Sequence, residues 1–312
     1  MKAVRFHEYG GPEVLRHEDV EQPEPGAGEV RVRVAATSFN SVDGNIRAGF
    51  MQGAIPVELP HTPGLDVAGT VDALGEGVTG WSVGDEVVAF LPMTKPGASA
   101  EYALAPAEAL ARAPKGIPLA DAAALPVVGL TAWQALFDHG RLKAGQRVLV
   151  NGAGGAVGGH AVQLAKGAGA HVIATASPRS AEAVRTAGAD EVVDHTATSV
   201  TAAVTEPVDL VLNLAPVAPE ELAALVTLVR PGGVVVNTTV WMPAPSDEAR
   251  DVRGIDLYVR SDAEQLARLV GLVDRGELLI DVGQRVPLAE LPALHAAGAV
   301  AGKVVVLVGT GD

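Results

Sequence analysis

The segment Val148-Leu149-Val150-Asn151-Gly152-Ala153-Gly154-Gly155-Ala156-Val157-Gly158 carries the strongest chemical signal in the chain. Gly152, Gly155 and Gly158 fall three apart, where an apolar strand-like run gives way to a helical one. Glycines at this spacing permit a tight turn and let backbone N–H groups approach a pyrophosphate. They also let the helix pack close to the strand, and its N-terminus supplies about half a positive charge. The chemistry is dinucleotide binding, with Gly152, Gly154, Gly155, Ala156, Val157 and Gly158 as candidate contacts. The competing reading is a glycine-rich turn that only packs.

Charge indicates which dinucleotide. A site for NAD places Asp or Glu about 20 residues beyond the first glycine, to accept the ribose 2′-OH. No Asp or Glu occurs between Asp138 and Glu182, a stretch that holds Arg141, Lys143, Arg147, Lys166 and Arg179 in a chain of net charge −14. The run from His171 to Ala176 is followed by Ser177-Pro178-Arg179. A guanidinium matches a phosphate with two parallel hydrogen bonds, and a carboxylate there repels it. NADP is therefore favoured, with Ser177 and Arg179 at the 2′-phosphate. The alternative for Arg179 is a solvated residue at a helix start.

These residues need strands and helices to hold them. From Arg147 onward apolar strands alternate with amphipathic helices: strands at Arg147 to Val150, His171 to Thr175, Glu191 to Val193, Val208 to Leu212 and Val234 to Asn237, helices at Val157 to Ala168, Ala181 to Ala187 and Pro219 to Val229. That alternation implies βαβ units and a doubly wound parallel sheet. Before it, Leu119 to Phe137 is Ala-rich and helical in period, with Pro126 and Gly129 as interruptions.

The first third reads as short strands between turns: Glu29 to Val34 with period two, Val67 to Val71, and Glu86 to Phe90. They suggest a small β-barrel or sandwich. After a helix at Ala263 to Arg275, strands return at Leu278 to Val282 and Gly302 to Val308, so the C-terminus is expected to complete the first domain. Residues 1–117, 118–276 and 277–312 are the expected first part, inserted domain and return. Met242 to Arg253, Pro-rich and polar, reads as a mobile loop.

Composition narrows the function classes. The 312 residues are 48% hydrophobic and 19% charged, enough for a sizeable core. Zero Cys excludes disulfides, iron–sulfur clusters, thiolate zinc and a cysteine nucleophile. The acidic balance argues against a nucleic-acid partner. The start, Met1-Lys2-Ala3-Val4-Arg5-Phe6-His7-Glu8, has charges where a signal peptide needs an apolar run, so a cytoplasmic location is expected. The uncharged stretch from Val148 to Ala165 holds five Gly plus Asn151, His160 and Gln163 and does not read as a membrane span.

Taken with Asn40-Ser41-Val42-Asp43, Arg47, Gly49, Pro63-Gly64-Leu65-Asp66-Val67-Ala68-Gly69, Gly84-Asp85-Glu86-Val87, Gly129-Leu130-Thr131-Ala132, Arg230-Pro231-Gly232-Gly233 and Gly302-Lys303-Val304, the chain resembles the zinc-independent quinone oxidoreductases (zeta-crystallin-like) of the medium-chain dehydrogenase/reductase superfamily. The resemblance implies a GroES-like β-barrel catalytic domain and a Rossmann domain, with the active site in the cleft between them. Zinc-using relatives place Cys where Asn40 stands and His where Leu65 stands, and no metal is expected here. His61 and Asp66 alone do not make a tetrahedral site, and His61 reads as a loop or core residue.

The resemblance also implies roles. Asn40 and Asp43 are catalytic candidates, the Asn40 side-chain NH2 donating to an acceptor oxygen; the alternative is an Asn that caps a turn with Asp43. Thr131 resembles a position at the nicotinamide side, with a helix N-cap as its alternative. Asn213 and Leu214 follow a strand at the cofactor edge, and His195 stands where many relatives carry a Tyr near the 2′-phosphate. Arg47, Phe50 and Trp241 are substrate candidates, and Met51 and Met242 further wall residues. Where relatives carry a Tyr two residues beyond Asp43 this chain has Asn45, which leaves water as the expected proton source.

The implied activity is hydride transfer from NADPH to a quinone or another α,β-unsaturated carbonyl. An enoyl reductase of a biosynthetic pathway and a non-catalytic NADPH-binding or redox-sensing protein are the alternatives. Relatives dimerise through the Rossmann sheet edge, and Val234 to Val240 is the expected edge strand of a homodimer.

Overall fold

A computed structural model describes residues 1–239, 241–297 and 302–308. By backbone proximity the chain divides into two units, Met1–Val127 with Ser261–Asp312, and Val128–Arg260. The inserted unit thus begins and ends inside the expected 118–276 span.

The first unit is built on strands β1 (Lys2–Phe6), β2 (Leu15–Asp19) and β3 (Glu29–Ser38), the short helix α1 (Ser41–Arg47), and strands β4 (Asp66–Leu74), β5 (Glu86–Phe90), β6 (Tyr102–Pro106) and β7 (Leu110–Arg112). The period-two pattern of β3 buries Val30, Val32 and Val34 against Val67, Val71, Val87 and Leu91. One edge of β3 pairs with β4; the other is shared, its first half with β6 and its last residues, Ala36 to Ser38, with the C-terminal strand. The resulting GroES-like sheet runs from that strand through β3, β4 and β5 to β7.

The segment from Leu119 to His139 is helical in three geometries: a 3₁₀ stretch at Leu119–Ala124, helix α2 (Pro126–Trp133), and a π-helical stretch at Gln134–His139. Pro126 opens α2, where its missing N–H costs nothing. Gly129 lies within α2 and does not interrupt it.

The second unit alternates β8 (Arg147–Asn151), α3 (Ala156–Gly167), β9 (His171–Ala176), α4 (Ala181–Thr186), β10 (Glu191–Asp194), α5 (Val200–Ala203), β11 (Val208–Asn213), α6 (Pro219–Leu225), β12 (Val229–Asn237) and β13 (Arg253–Asp256). All strands are parallel in the order β10-β9-β8-β11-β12-β13. This is the Rossmann order, in which ligands bind beyond the carboxyl ends of the strands near β8 and β11. Leu149, Ile173 and Val211 pack one face against Leu222 and Leu225 of α6.

Two expectations are corrected here. β12 is an inner strand, because Val234 to Asn237 pair with Arg253 to Asp256 of β13; β13 is the terminal strand, and Val240 lies outside the described residues. Met242 to Arg253 is fastened: Arg250 donates to Asp247, Val229 O at 2.8 Å and Val226 O at 2.9 Å.

Helix α7 (Ala263–Asp274) belongs to the first unit, its last residue accepting at 2.7 and 3.1 Å from the Lys115 and Gly116 N–H groups. Strand β14 (Val282–Pro287), helix α8 (Leu291–Ala297) and strand β15 (Lys303–Leu307) follow. The expected strand at Leu278 to Val282 is displaced to Val282–Pro287, where pairing with β15 sets the register. β15 then pairs with β3, completing the first unit. No helix among the described residues is long and apolar enough to cross a membrane.

Candidate functional site

The glycine turn leaves β8 and enters α3, and its glycines do different jobs. Gly152 has φ +93°, a left-handed conformation suited to glycine. A methyl group on Gly158 would lie 2.5 Å from Ala153 Cα and 2.6 Å from Gly152 O, so Gly158 lets α3 sit against the turn. Gly155 is different: the one protein atom within 4 Å of such a methyl is Gly152 O, at 3.7 Å. Beyond its chain neighbours the protein leaves room for a side chain there, at the N-terminus of α3. Gly155→Ala is expected to leave thermal stability unchanged and weaken nucleotide binding, whereas Gly158→Ala loses about 1–3 kcal/mol from overpacking. Thermal melts and dinucleotide titrations separate the two; lost stability in Gly155→Ala would refute the ligand-facing assignment.

Beside the turn lies a cavity of about 560 Å³ lined by Asn151, Gly152, Thr175 and His195 together with Pro216, Val217 and Leu225. Glu220 and Glu221 also line it. His195 is therefore brought to the turn. Ser177 and Arg179 occupy the turn after β9, outside this lining, and Arg179 is exposed to solvent. Leu214 donates its N–H to Asn151 O at 2.8 Å. Asn213, a candidate at the cofactor edge, is completely buried; its amide donates to Asn237 Oδ1 and Ala215 O and accepts from Asn151. Its side chain is spent within the sheet edge. Thr131, expected near a helix start, is the sixth residue of α2 and 7% exposed, so it is no N-cap.

A second cavity of this unit, about 230 Å³, is lined by Asn237, Trp241, Met242, Asp256, Leu257 and Tyr258 among others. Of these, Trp241 and Tyr258 are 54% and 67% exposed.

In the first unit the Asn40 segment is organised around buried charge. Asp66, fully buried on β4, accepts from Ser38 Oγ, from Asn40 Nδ2 at 2.8 Å and from Val127 N at 2.7 Å. Lys303, 3% exposed at the start of β15, donates to Asn40 Oδ1 and to Phe39 O at 2.8 Å, with its ammonium 3.6 Å from Asp66. Asn40 Nδ2 also reaches Ser38 O at 3.4 Å. Both amide N–H groups thus have acceptors inside the protein, one the Asp66 carboxylate and the other the Ser38 carbonyl. Asp43 accepts from the Asn40 and Gly64 N–H groups at 2.9 and 3.1 Å, as a turn cap. Burial pushes its carboxyl up to about 6 against these bonds and Lys303, and burial also holds the Lys303 ammonium below the usual lysine range.

Arg47 is likewise drawn inward, its Nε donating to Gly10 O at 3.2 Å and its Nη1 lying 3.0 Å from His295 Nδ1. Phe50, in the turn after α1, is 69% exposed. Asp66 and Lys303 were not foreseen as a pair; the signal was a charge set in an otherwise apolar run, Leu65-Asp66-Val67-Ala68 and Lys303-Val304-Val305-Val306.

Two buried histidines fix a pH response. His61 packs edge-on to Phe6 and His295 to Phe39, and burial, joined at His295 by Arg47, holds each down to about 4. The unfolded chain protonates them below 6.5, so their contribution is full above 6.5 and is lost as pH falls towards 4. Asp43 has the opposite sign: its contribution is full below 3.8 and lost as pH rises to about 6. One histidine cancels Asp43 in the shared window, and the other leaves a slope of about 1.4 kcal/mol per pH unit. Urea unfolding should show stability falling from pH 6 to pH 4, and His295→Gln flattening it; a wild-type profile without that fall refutes the assignment.

Among the described residues no three His, Asp or Glu side chains group as a metal site. Residues 26–115 match the alcohol dehydrogenase GroES-like domain and residues 187–306 the zinc-binding dehydrogenase family. A chloroplast envelope quinone oxidoreductase homolog of Arabidopsis thaliana is 43% identical over 201 residues, 62% of this chain and 61% of its own length. The chain thus matches about three fifths of the length of that plant relative. Among solved structures, an NAD-dependent alcohol dehydrogenase superposes with TM-score 0.89 at 32% identity, covering 99% of this chain and all of that one. A mycobacterial protein complexed with NADPH superposes with TM-score 0.84, also at 32% identity and the same coverage. The quinone oxidoreductase of Lama guanicoe is 34% identical over 98% of this chain and 97% of its own. With the GroES-like sheet, the Rossmann strand order and the glycine turn in place, this near full-length likeness shows that the chain belongs to the quinone oxidoreductase family of the medium-chain dehydrogenase/reductases.

Proposed function

We propose that the chain is a zinc-independent, NADPH-dependent reductase of quinones or other α,β-unsaturated carbonyls. The observation that carries this reading is the glycine turn, whose Gly155 side is left open by the protein at the N-terminus of α3. NADPH, when bound, supplies the hydride. Gly152, Gly154, Gly155, Ala156, Val157 and Gly158 hold the pyrophosphate, and Leu214 keeps the adjoining loop in place. Ser177 and Arg179 take the 2′-phosphate, with His195 lending a ring N–H. Thr131 contacts the nicotinamide end.

Phe50 and Trp241, 69% and 54% exposed, are each kept as substrate candidates. Asn40 and Asp43 are the catalytic candidates, with Asn40 and Arg47 on the substrate side; Asn40 links the Lys303 and Asp66 side chains, Asp43 holds two backbone N–H groups, and Arg47 donates to Gly10 O. The choice of quinones rests on the full-length relatives bearing that name. A homodimer and a cytoplasmic location stand with the family reading, and sedimentation tests the former.

The test is the loss of NADPH absorbance, with NADH as control and a chelator present, across ortho-quinones, para-quinones, enals and enones. Chelator-resistant turnover preferring NADPH is expected, and the fastest acceptor class names the substrate. Tight NADPH binding without turnover on any acceptor would leave the fold and overturn the function.

A further inference from the structure

Five adjacent strands of the parallel sheet, β9, β8, β11, β12 and β13, each bring a polar side chain to one row at the carboxyl end. Thr175, Asn151, Asn213, Asn237 and Asp256 stand side by side, Asn213 in register with Asn151 and Asn237, and Asn237 with Asp256. The residues just before them, Ala174, Val150, Leu212, Val236 and Ile255, are all apolar.

Each member bonds to the next in one direction. Gly152 N donates to Thr175 Oγ1, which donates to Asn151 Oδ1, both at 2.8 Å. Asn151 Nδ2 donates to Asn213 Oδ1 at 2.8 Å, Asn213 Nδ2 to Asn237 Oδ1 at 2.9 Å, and Asn237 Nδ2 to Asp256 Oδ1 at 3.3 Å. Thr175, Asn151, Asn213 and Asn237 are no more than 3% exposed.

A fold alone has no use for such a row. Burying polar groups gains little over apolar ones of the same shape and costs heavily when one partner is lost. What distinguishes the row is what it ties down. One end holds the N–H of Gly152 and lines the larger cavity; the other fastens the loop beyond β12, Asn237 donating to Thr239 O at 3.0 Å and Met242 O at 2.8 Å, and Asp256 accepting from Ala244 N at 2.8 Å. That loop carries Trp241 and lines the smaller cavity.

We propose that this side-chain ladder, with Asn213 at its centre, is a positioning device that keeps the glycine turn and the Trp241 loop in one fixed register. Its cofactor end rests on the nucleotide reading above; its Trp241 end does not. Asn213 touches neither cavity, so it acts through Asn151 and Asn237.

The experiment uses the full chain with Trp81→Phe and Trp133→Phe, which leaves Trp241 as the sole indole. Asn213→Leu should weaken NADPH binding by about tenfold or more and raise acrylamide quenching of Trp241 in the folded protein. Val211→Ala, a core loss on the same strand, should lower the melting temperature and move neither readout. Asn213→Leu behaving as Val211→Ala does, or shifting one end only, overturns the proposal. If Asn213→Leu fails to fold, Asn213→Asp, of the same shape, still accepts from Asn151 but has no proton for Asn237. Trp241 quenching should then rise, and an unchanged value overturns the ladder. A parent chain that binds no NADPH sinks the nucleotide reading, while Trp241 quenching still judges the ladder.

Discussion

Arg179→Glu is expected to reverse the nucleotide preference, lowering kcat/KM for NADPH by about 10²–10³-fold while that for NADH holds or rises. Arg179 follows the end of β9, where a Rossmann sheet meets the adenosine ribose. No carboxylate lies between Asp138 and Glu182 to take a 2′-OH, and Arg179 and Ser177 are the groups proposed above for the 2′-phosphate. Losing one charge-assisted hydrogen bond costs about 1.5–3 kcal/mol, and a carboxylate in the same place adds repulsion against the 2′-phosphate. For NADH the carboxylate accepts from the free 2′-OH instead. Because Arg179 is exposed in a turn, the melting temperature should not move, so the switch reads recognition and not folding. The measurement is the ratio of the two kcat/KM values in wild type and variant at fixed salt. A variant that still prefers NADPH by the wild-type margin would remove Arg179 from the site and shift the burden to His195, which lines the adjoining cavity.

What the sequence displayed and what it hid follow from how far each signal reaches. The glycine turn was legible because strand, turn and helix are contiguous, and the β8 to β12 alternation because each buried strand is a run of Val, Leu, Ile or Ala. Strand β13 escaped since Arg253-Gly254-Ile255-Asp256 offers one large apolar residue in four, as suits a half-exposed terminal strand; calling β12 the edge followed from missing it. Strand β14 escaped for the same reason, Gly283-Gln284-Arg285 being solvent-facing. The partners of Asn40 and Arg47 were not legible, because Lys303 and His295 come from the other end of the chain. The asparagine ladder shows the limit most plainly. Each Asn was visible at the end of its own strand, but only the parallel register makes Asn151, Asn213 and Asn237 neighbours.

Lys303→Met should destabilise the protein by about 3–5 kcal/mol, the cost of stripping one partner from a buried ion pair. Methionine fills nearly the same volume, so the loss is electrostatic. Asp66 keeps its bonds from Ser38, Asn40 and Val127 but loses the cation 3.6 Å away, and Asn40 Oδ1 and Phe39 O lose their donor. Asp43, whose carboxyl the same ammonium draws downward, becomes harder to ionise. Asp66→Asn alone should also destabilise, because it leaves the Lys303 ammonium buried beside a neutral amide. The double variant discriminates between a packed volume and a charge pair. If the charges matter to each other, Lys303→Met with Asp66→Asn costs less than the two single losses together, with a coupling of about 1–3 kcal/mol. Urea unfolding at pH 7 measures all three. Strict additivity would mean that Lys303 serves the Phe39 and Asn40 oxygens alone, and that Asp66 is satisfied by its three neutral donors. Coupling would instead make this pair the internal charge around which the Asn40 segment takes its shape.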